Sequence, residues 1–403
     1  MTRAPHEHLV ALATLTAALA AGCASTDAPS RASIDACARA HPQVALAGIV
    51  SRDDTGTLLV DGHFFDARGV GSYPLLEHAG NGRMAEVNEI LDTAVALGRP
   101  VVRTNAYFDG GTSPARIRND DGSIREEGLV GLDRLLAAAA AHGVRLVLVL
   151  TNHWKDYGGA AAVLRAVAPG ETLPVAAFYS DARAIAAQRA YIRVLVGRVN
   201  TINGVRYGDD PAVLAWELAN EPRCDDEVYC GADVLTPWAR TMATELRDAG
   251  ARQLVAWGGS GGLGDGGENG ESLDRIAADG AVDIVTLHLY PHLRSALAFG
   301  TVSGAERPLV AARWGGERIR EAASVARAHG RALFVEELGW APLGGDDADG
   351  ERALVLGAWL RAARAERVHA MPWMIAERGR PDYDGLLIRA FDDPATTEAL
   401  ACE

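Results

Sequence analysis

Two glutamates stand at the ends of apolar runs, where a carboxyl group is costly to bury. The first closes Ala215-Trp216-Glu217-Leu218-Ala219-Asn220-Glu221-Pro222, and the second lies in Phe334-Val335-Glu336-Glu337-Leu338-Gly339-Trp340. Desolvation penalises a carboxyl in such a place unless it is paired or put to use. Salt-bridged structural glutamates are the plain alternative. Two carboxyls that face each other across a sugar ring can do more: one protonates the leaving oxygen while the other attacks the anomeric carbon. A gap of roughly 5 to 5.5 Å gives a covalent intermediate and retention of configuration, whereas roughly 6.5 to 9.5 Å admits a water and gives inversion. Spacing along the chain does not set that gap.

The elements that must position these residues are legible as a repeat. Eight short runs rich in Val, Leu, Ile or aromatics occupy residues 64–71, 101–107, 145–154, 213–221, 254–257, 284–290, 332–340 and 370–375. Near-continuous apolarity over so few residues fits strands buried on both faces. Helical patterns lie between most of them, clearest at 85–97, 129–142, 182–199, 237–249, 316–329 and 351–366. Several stop at glycine (Gly98, Gly143, Gly250, Gly330), where a left-handed cap is easiest. Eight alternations predict one (β/α)8 TIM barrel, an α/β fold in a single domain whose active site gathers at the C-terminal ends of the strands. Side chains alternate along a strand, so only one of Glu336 and Glu337 is expected to enter the mouth. Glu217, inside its strand, reads as a buried hydrogen-bonding partner. A doubly wound nucleotide-binding sheet is the competitor, with Gly259-x-Gly261-x-x-Gly264 after the fifth run. The loop Asp265-Gly266-Gly267-Glu268-Asn269-Gly270 follows where a helix should open, so the context fails.

The chain has 403 residues, 48% apolar and 23% charged, which excludes wholesale disorder and fibrous classes. Its 39 basic and 53 acidic residues leave a net charge of -14, with no basic run to meet phosphates, so nucleic acid is excluded as a partner. Residues 1–22 carry Arg3 and then an apolar stretch shorter than the roughly 20 residues that span a bilayer, and they read as a secretory signal. The ending Leu19-Ala20-Ala21-Gly22-Cys23 resembles a bacterial lipoprotein signal. That resemblance implies a lipid on Cys23 as the sole membrane attachment, in the periplasm or at the cell surface; plain cleavage near Ala21 would instead give a secreted protein. Residues 23–57 are then a tether and lead-in, and 58–403 the catalytic domain. In an oxidising compartment the remaining cysteines are expected to pair, with Cys224–Cys230 and Cys37–Cys402 favoured. Metal binding is the weaker reading, since no Cys-x-x-Cys pair or His-x-x-x-His face accompanies them.

At the two glutamates the chain resembles glycoside hydrolase family 5. The stretch Trp216-Glu217-Leu218-Ala219-Asn220-Glu221-Pro222-Arg223-Cys224 is similar to the endo-β-1,4-mannanases of that family. So are Phe178-Tyr179-Ser180-Asp181, Val102-Arg103-Thr104, Trp154-Lys155-Asp156-Tyr157-Gly158-Gly159, His288-Leu289-Tyr290-Pro291 and Asp384-Gly385-Leu386. The resemblance covers roughly residues 58–390. It implies Glu221 as general acid/base and Glu337 as nucleophile. It further implies Arg103 and Tyr290 as donors to the nucleophile, Asn220 as the grip on a 2-hydroxyl and His288 as an orienting residue. Asn152 and Trp154 are implied as substrate-binding positions, and Trp373 as the aromatic floor beneath the reacting sugar. No cofactor or metal is needed for such chemistry. The implied partner is a β-linked polysaccharide or oligosaccharide of mannan, glucomannan or galactomannan type, cut by a monomer. A β-glucanase, another hemicellulase or an exo-glycosidase of the same fold is the runner-up, and a non-catalytic glycan-binding lipoprotein the reading from another class. Asn105, Pro74 and Arg294 stand where the family commonly carries aromatics, which implies thinner stacking platforms at the outer subsites.

Overall fold

The computed structural model describes residues 30–40, 46–263, 269–291, 304, 306–342 and 347–403. The signal segment, Cys23, Gly264 and Arg294 lie outside the described residues. Eight parallel strands form one sheet in chain order: Gly69–Gly71, Val101–Asn105, Arg145–Val149, Val213–Glu217, Leu254–Ala256, Ile284–Leu289, Ala332–Leu338 and His369–Pro372. The last strand returns to the first, where the Ile375 N–H donates to the Gly71 carbonyl at 3.0 Å. Each of the eight expected runs contributes a strand, and every one of these strands is buried along its whole length between the barrel interior and the surrounding helices.

The first run divides. Only Gly69–Gly71 enters the barrel, while His63–Phe64 pairs antiparallel with Leu58–Val60 in a small three-stranded sheet with Ser51–Arg52. That sheet closes the base: Val50, Leu58, Val60, Phe65 and Ala67 form one apolar cluster with the inward residues Val101, Val147, Ala256, Phe334 and Met371. Phe64 is 61% exposed on the outer side, so an apolar run alone did not mark the barrel strand.

The expected helices appear, with Gly143 as a left-handed cap of Glu126–His142. Arg307–Ala328 begins nine residues before the expected residue 316, since Gly315 and Gly316 lie buried within the helix rather than breaking it. Shorter helices at Leu75–Gly80, Gly159–Val167 and Leu273–Asp279 were not marked by periodicity. Helix Arg31–Arg39 packs on the terminal helix Pro394–Cys402, joined by the disulfide Cys37–Cys402. The second bridge joins Cys224 and Cys230. Both favoured pairings are therefore present.

Candidate active site

The residues that close the strands converge on one cleft of about 1180 Å³ at the C-terminal mouth. Arg103 lies on the second strand, Asn152 and Trp154 follow the third, Asn220 and Glu221 follow the fourth, His288 and Tyr290 come from the sixth, Glu337 from the seventh, and Trp373 follows the eighth. The structure brings all nine together.

Glu221 is held in an uncommon backbone conformation, φ 44°, which non-glycine residues rarely adopt. Two backbone bonds fix it: Asn220 N–H to the Thr151 carbonyl and Glu221 N–H to the Gly258 carbonyl, each 2.8 Å. The glycines after the fifth strand make that turn possible. Gly258 has φ +89°, and a Cβ there would lie 1.9 Å from the Ala219 carbonyl oxygen; one on Gly259 would meet the buried Glu271 carboxyl at the same distance. The glycine cluster thus serves close packing behind Glu221, not a phosphate.

Arg103 organises the floor. It is almost fully buried, grips both oxygens of Glu217 at 2.6 and 2.7 Å, donates to Glu337 Oε1 at 2.5 Å and to Asn220 Oδ1 at 2.8 Å. Burial disfavours the guanidinium charge, but Glu217, Glu336 and Glu337 outweigh it and hold Arg103 firmly cationic. Glu217 is the buried hydrogen-bonding partner the sequence suggested; burial pushes its carboxyl upward against the pull of Arg103. Tyr290 donates to the other oxygen of Glu337 at 2.6 Å. Asn220 is steadied by its amide bond to Asn152 Oδ1 at 3.0 Å.

Around Glu221 the partners are cationic or N–H donors. Trp154 Nε1 donates to Oε2 at 2.7 Å, His288 Nδ1 lies 2.9 Å from Oε1, and Arg223 Nη2 lies 3.4 Å from Oε2 with its guanidinium over the Trp154 ring. Burial raises the Glu221 pKa, but His288, Trp154 and Arg223 together bring it down to about 2. Burial likewise opposes the His288 charge, and Glu337, Glu221 and Glu336 reverse that, holding the imidazole at about 10. Both shifts run the same way, favouring an ionised Glu221 beside a cationic His288.

Of the neighbouring pair only Glu337 lines the cleft, as expected, but strict alternation is not the reason, since a register shift between Val335 and Glu337 breaks it and leaves Glu336 buried behind the cleft. Both side chains reach the same cluster: Glu336 Oε1 lies 3.3 Å from His288 Nε2, and its Oε2 lies 3.6 Å from Arg103 Nε. Sequence also gave no sign of Trp314 and Arg318, which line the cleft from helix Arg307–Ala328. Tyr73 and Tyr157 line it too, Tyr73 stacked on Trp373 with centroids 6.0 Å apart. Gly71 permits that floor, since a Cβ there would come within 2.5 Å of the Trp373 ring.

One oxygen each of Glu221 and Glu337 and one nitrogen of His288 lie within 4.8 Å of one another. A cation could find three ligands there, but it would first have to displace a proton from an imidazole held at about 10. Two carboxyls this close, one gripped by Arg103 and Tyr290 and the other among proton donors, can attack and protonate the two ends of one bond.

Residues 77–348, well over half of the chain, match the family model described as GH family 5 beta-mannosidase-like. Mannan endo-1,4-beta-mannosidase 3 of Oryza sativa subsp. japonica is 33% identical over 258 residues, 60% of this chain and 54% of that protein. Putative mannan endo-1,4-beta-mannosidase 9 of the same plant is 32% identical over 302 residues, 70% of this chain and 69% of that protein. The chain thus spans about half the length of the first and about two thirds of the second. Among solved structures, the endo-1,4-beta-mannanase from Rhizomucor miehei superposes with a TM-score of 0.73 at 26% identity, over 88% of this chain and 98% of that one. With its barrel and its converging strand ends, the chain belongs to glycoside hydrolase family 5.

Proposed function

We propose that the protein is a retaining endo-β-1,4-mannanase that cuts β-mannosidic bonds by double displacement. One observation carries the reading: carboxyl oxygens of Glu221 and Glu337 lie within 4.8 Å of each other, short of the roughly 6.5 to 9.5 Å that an inverting pair keeps for the sugar and its attacking water. Glu337 attacks the anomeric carbon, and the glycosidic C–O bond breaks as Glu221 delivers a proton to the departing oxygen. Water then attacks the same carbon from the vacated side, passes a proton to Glu221, and releases Glu337. Arg103 and Tyr290 orient the nucleophile by one bond to each of its oxygens. Asn220 offers its amide to the 2-hydroxyl of the reacting sugar, and Trp373 offers a ring face to its C–H side. The mannan substrate is supported by what the related rice proteins and the Rhizomucor miehei enzyme are named for. Export is supported by the two disulfides, which persist in oxidising compartments.

The test compares initial rates and product anomers on mannan, glucomannan, xylan and cellulose. Release of the β-anomer from mannan is expected, with Glu337→Ala lowering kcat by about 10⁴-fold or more. Near wild-type hydrolysis by that variant, or first release of the α-anomer, would overturn the assignment. Binding without any reducing sugar released would instead make the protein a glycan-capturing module.

A further inference from the structure

Glu336 has no role in the double displacement just described, yet it is wholly buried at the centre of the site. Among the described residues its Oε2 accepts no hydrogen bond, and its Oε1 faces His288 Nε2 at 3.3 Å. The opposite ring nitrogen faces Glu221 Oε1 at 2.9 Å and Glu337 Oε2 at 3.5 Å. His288 itself is only 4% exposed, so water does not compete for either nitrogen. An imidazole with carboxyl acceptors on both sides donates from both only when doubly protonated. The bulge between Val335 and Glu337 is what brings this carboxyl to the inner side.

Resting on the acid/base role proposed for Glu221, we infer that Glu336 is a positioning residue that fixes His288 as the proton store for Glu221. Before a sugar binds, the proton stays on Nδ1. A bound sugar expels water, and an ion pair that loses water becomes less favourable than its neutral counterpart. The Nδ1–H bond then breaks and an O–H bond forms on Glu221 Oε1, leaving a neutral imidazole and a protonated acid. The departing glycosidic oxygen takes that proton. In the second step the attacking water returns one to Glu221, which restores His288 when product leaves. Arg103, beside Oε2 of Glu336 at 3.6 Å, keeps the carboxyl aimed at the ring. Glu217 and Glu271 act on the same imidazole through their charge, and Tyr290 donates to the Glu337 oxygen that lies 3.5 Å from Nδ1.

The experiment uses Glu336→Gln, with Glu336→Asp as the variant that keeps the charge. Two substrates are compared, a manno-oligosaccharide whose leaving group needs a proton and a dinitrophenyl β-mannoside whose leaving group does not. Glu336→Gln is expected to lower kcat/KM on the oligosaccharide about 10-fold or more relative to the aryl substrate, with the alkaline limb of its pH profile moved to lower pH. Glu336→Asp should recover part of both. Nitrogen-15 NMR of the ring, assigned by comparison with His288→Asn, should show His288 losing its second proton at lower pH in Glu336→Gln than in wild type. Equal losses on both substrates, or an unmoved His288 titration, would overturn the proposal. Should wild type cleave neither substrate, the mannanase reading fails, while the NMR titration still decides the Glu336–His288 pairing.

Discussion

The molecule carries two cavities of nearly equal size, about 1180 Å³ at the mouth of the barrel and about 1190 Å³ at its base. Each is lined by buried arginines, and they differ in what those arginines hold. At the base, Arg99 donates to the carbonyls of Leu400 and Ala370, and Arg68 to those of Leu400 and Ala401. Their bonds clamp the terminal helix to the bottom of the sheet, near the Cys37–Cys402 bridge. At the mouth, among the described residues, Arg103 donates to side chains, two of them the titratable carboxyls of Glu217 and Glu337 and the third the Asn220 amide oxygen. Volume therefore does not single out the site. A convergence of ionisable groups on one another does, because such groups can exchange protons and charge with a ligand, whereas a guanidinium bound to main-chain carbonyls only holds them.

Paired substitutions of the two arginines put this contrast to work. Arg103→Met should lower kcat/KM by about 10³-fold, since it removes the donor that aims Glu337 and leaves Glu217 unpaired. The same change should cost about 3 to 5 kcal/mol of stability, because a buried carboxyl loses its counter-ion. Steady-state kinetics and urea denaturation measure the two losses separately. Arg99→Met should cost about 1 to 3 kcal/mol, from main-chain carbonyls left without a donor, and leave kcat unchanged. If Arg99→Met also slows catalysis, the two ends of the barrel are coupled and the contrast drawn above fails.

The smallest effect is a difference in pH dependence. Glu221 has its folded pKa depressed to about 2, so its contribution to stability is present above about 4.5 and is lost as pH falls through 2. His288 has its folded pKa raised to about 10, so its contribution is complete below about 6.5 and is lost as pH rises through 10. Tm should therefore fall between pH 7 and 10 in wild type and in Arg99→Met, and fall less steeply in His288→Asn. An identical alkaline slope in all three would remove His288 from the account.

Much of this was legible before any coordinates. The eight strands announced themselves because burial on both faces forces apolar runs, and the site residues sit where those runs end. The helix of residues 307–328 was legible only in part, because Gly315 and Gly316 mimic a break that close packing explains. Trp314 gave no signal, since an aromatic on a helix face looks alike whether it meets core or cleft. The two strands within residues 58–64 were hidden for another reason: two or three residues are too few to show a period.

The order of strands and helices was thus set by local patterning that reads along the chain, while the choice of Glu221 and Glu337 came from the resemblance to a family and the cysteine partners from their even number and their places in the chain. The burial of Glu336 behind the cleft, the approach of Glu221 and Glu337 to within 4.8 Å and the raised pKa of His288 were decided only in three dimensions. A bulge shifts the pleat by one residue without changing composition, and a pKa is fixed by charges that come from strands far apart in the sequence.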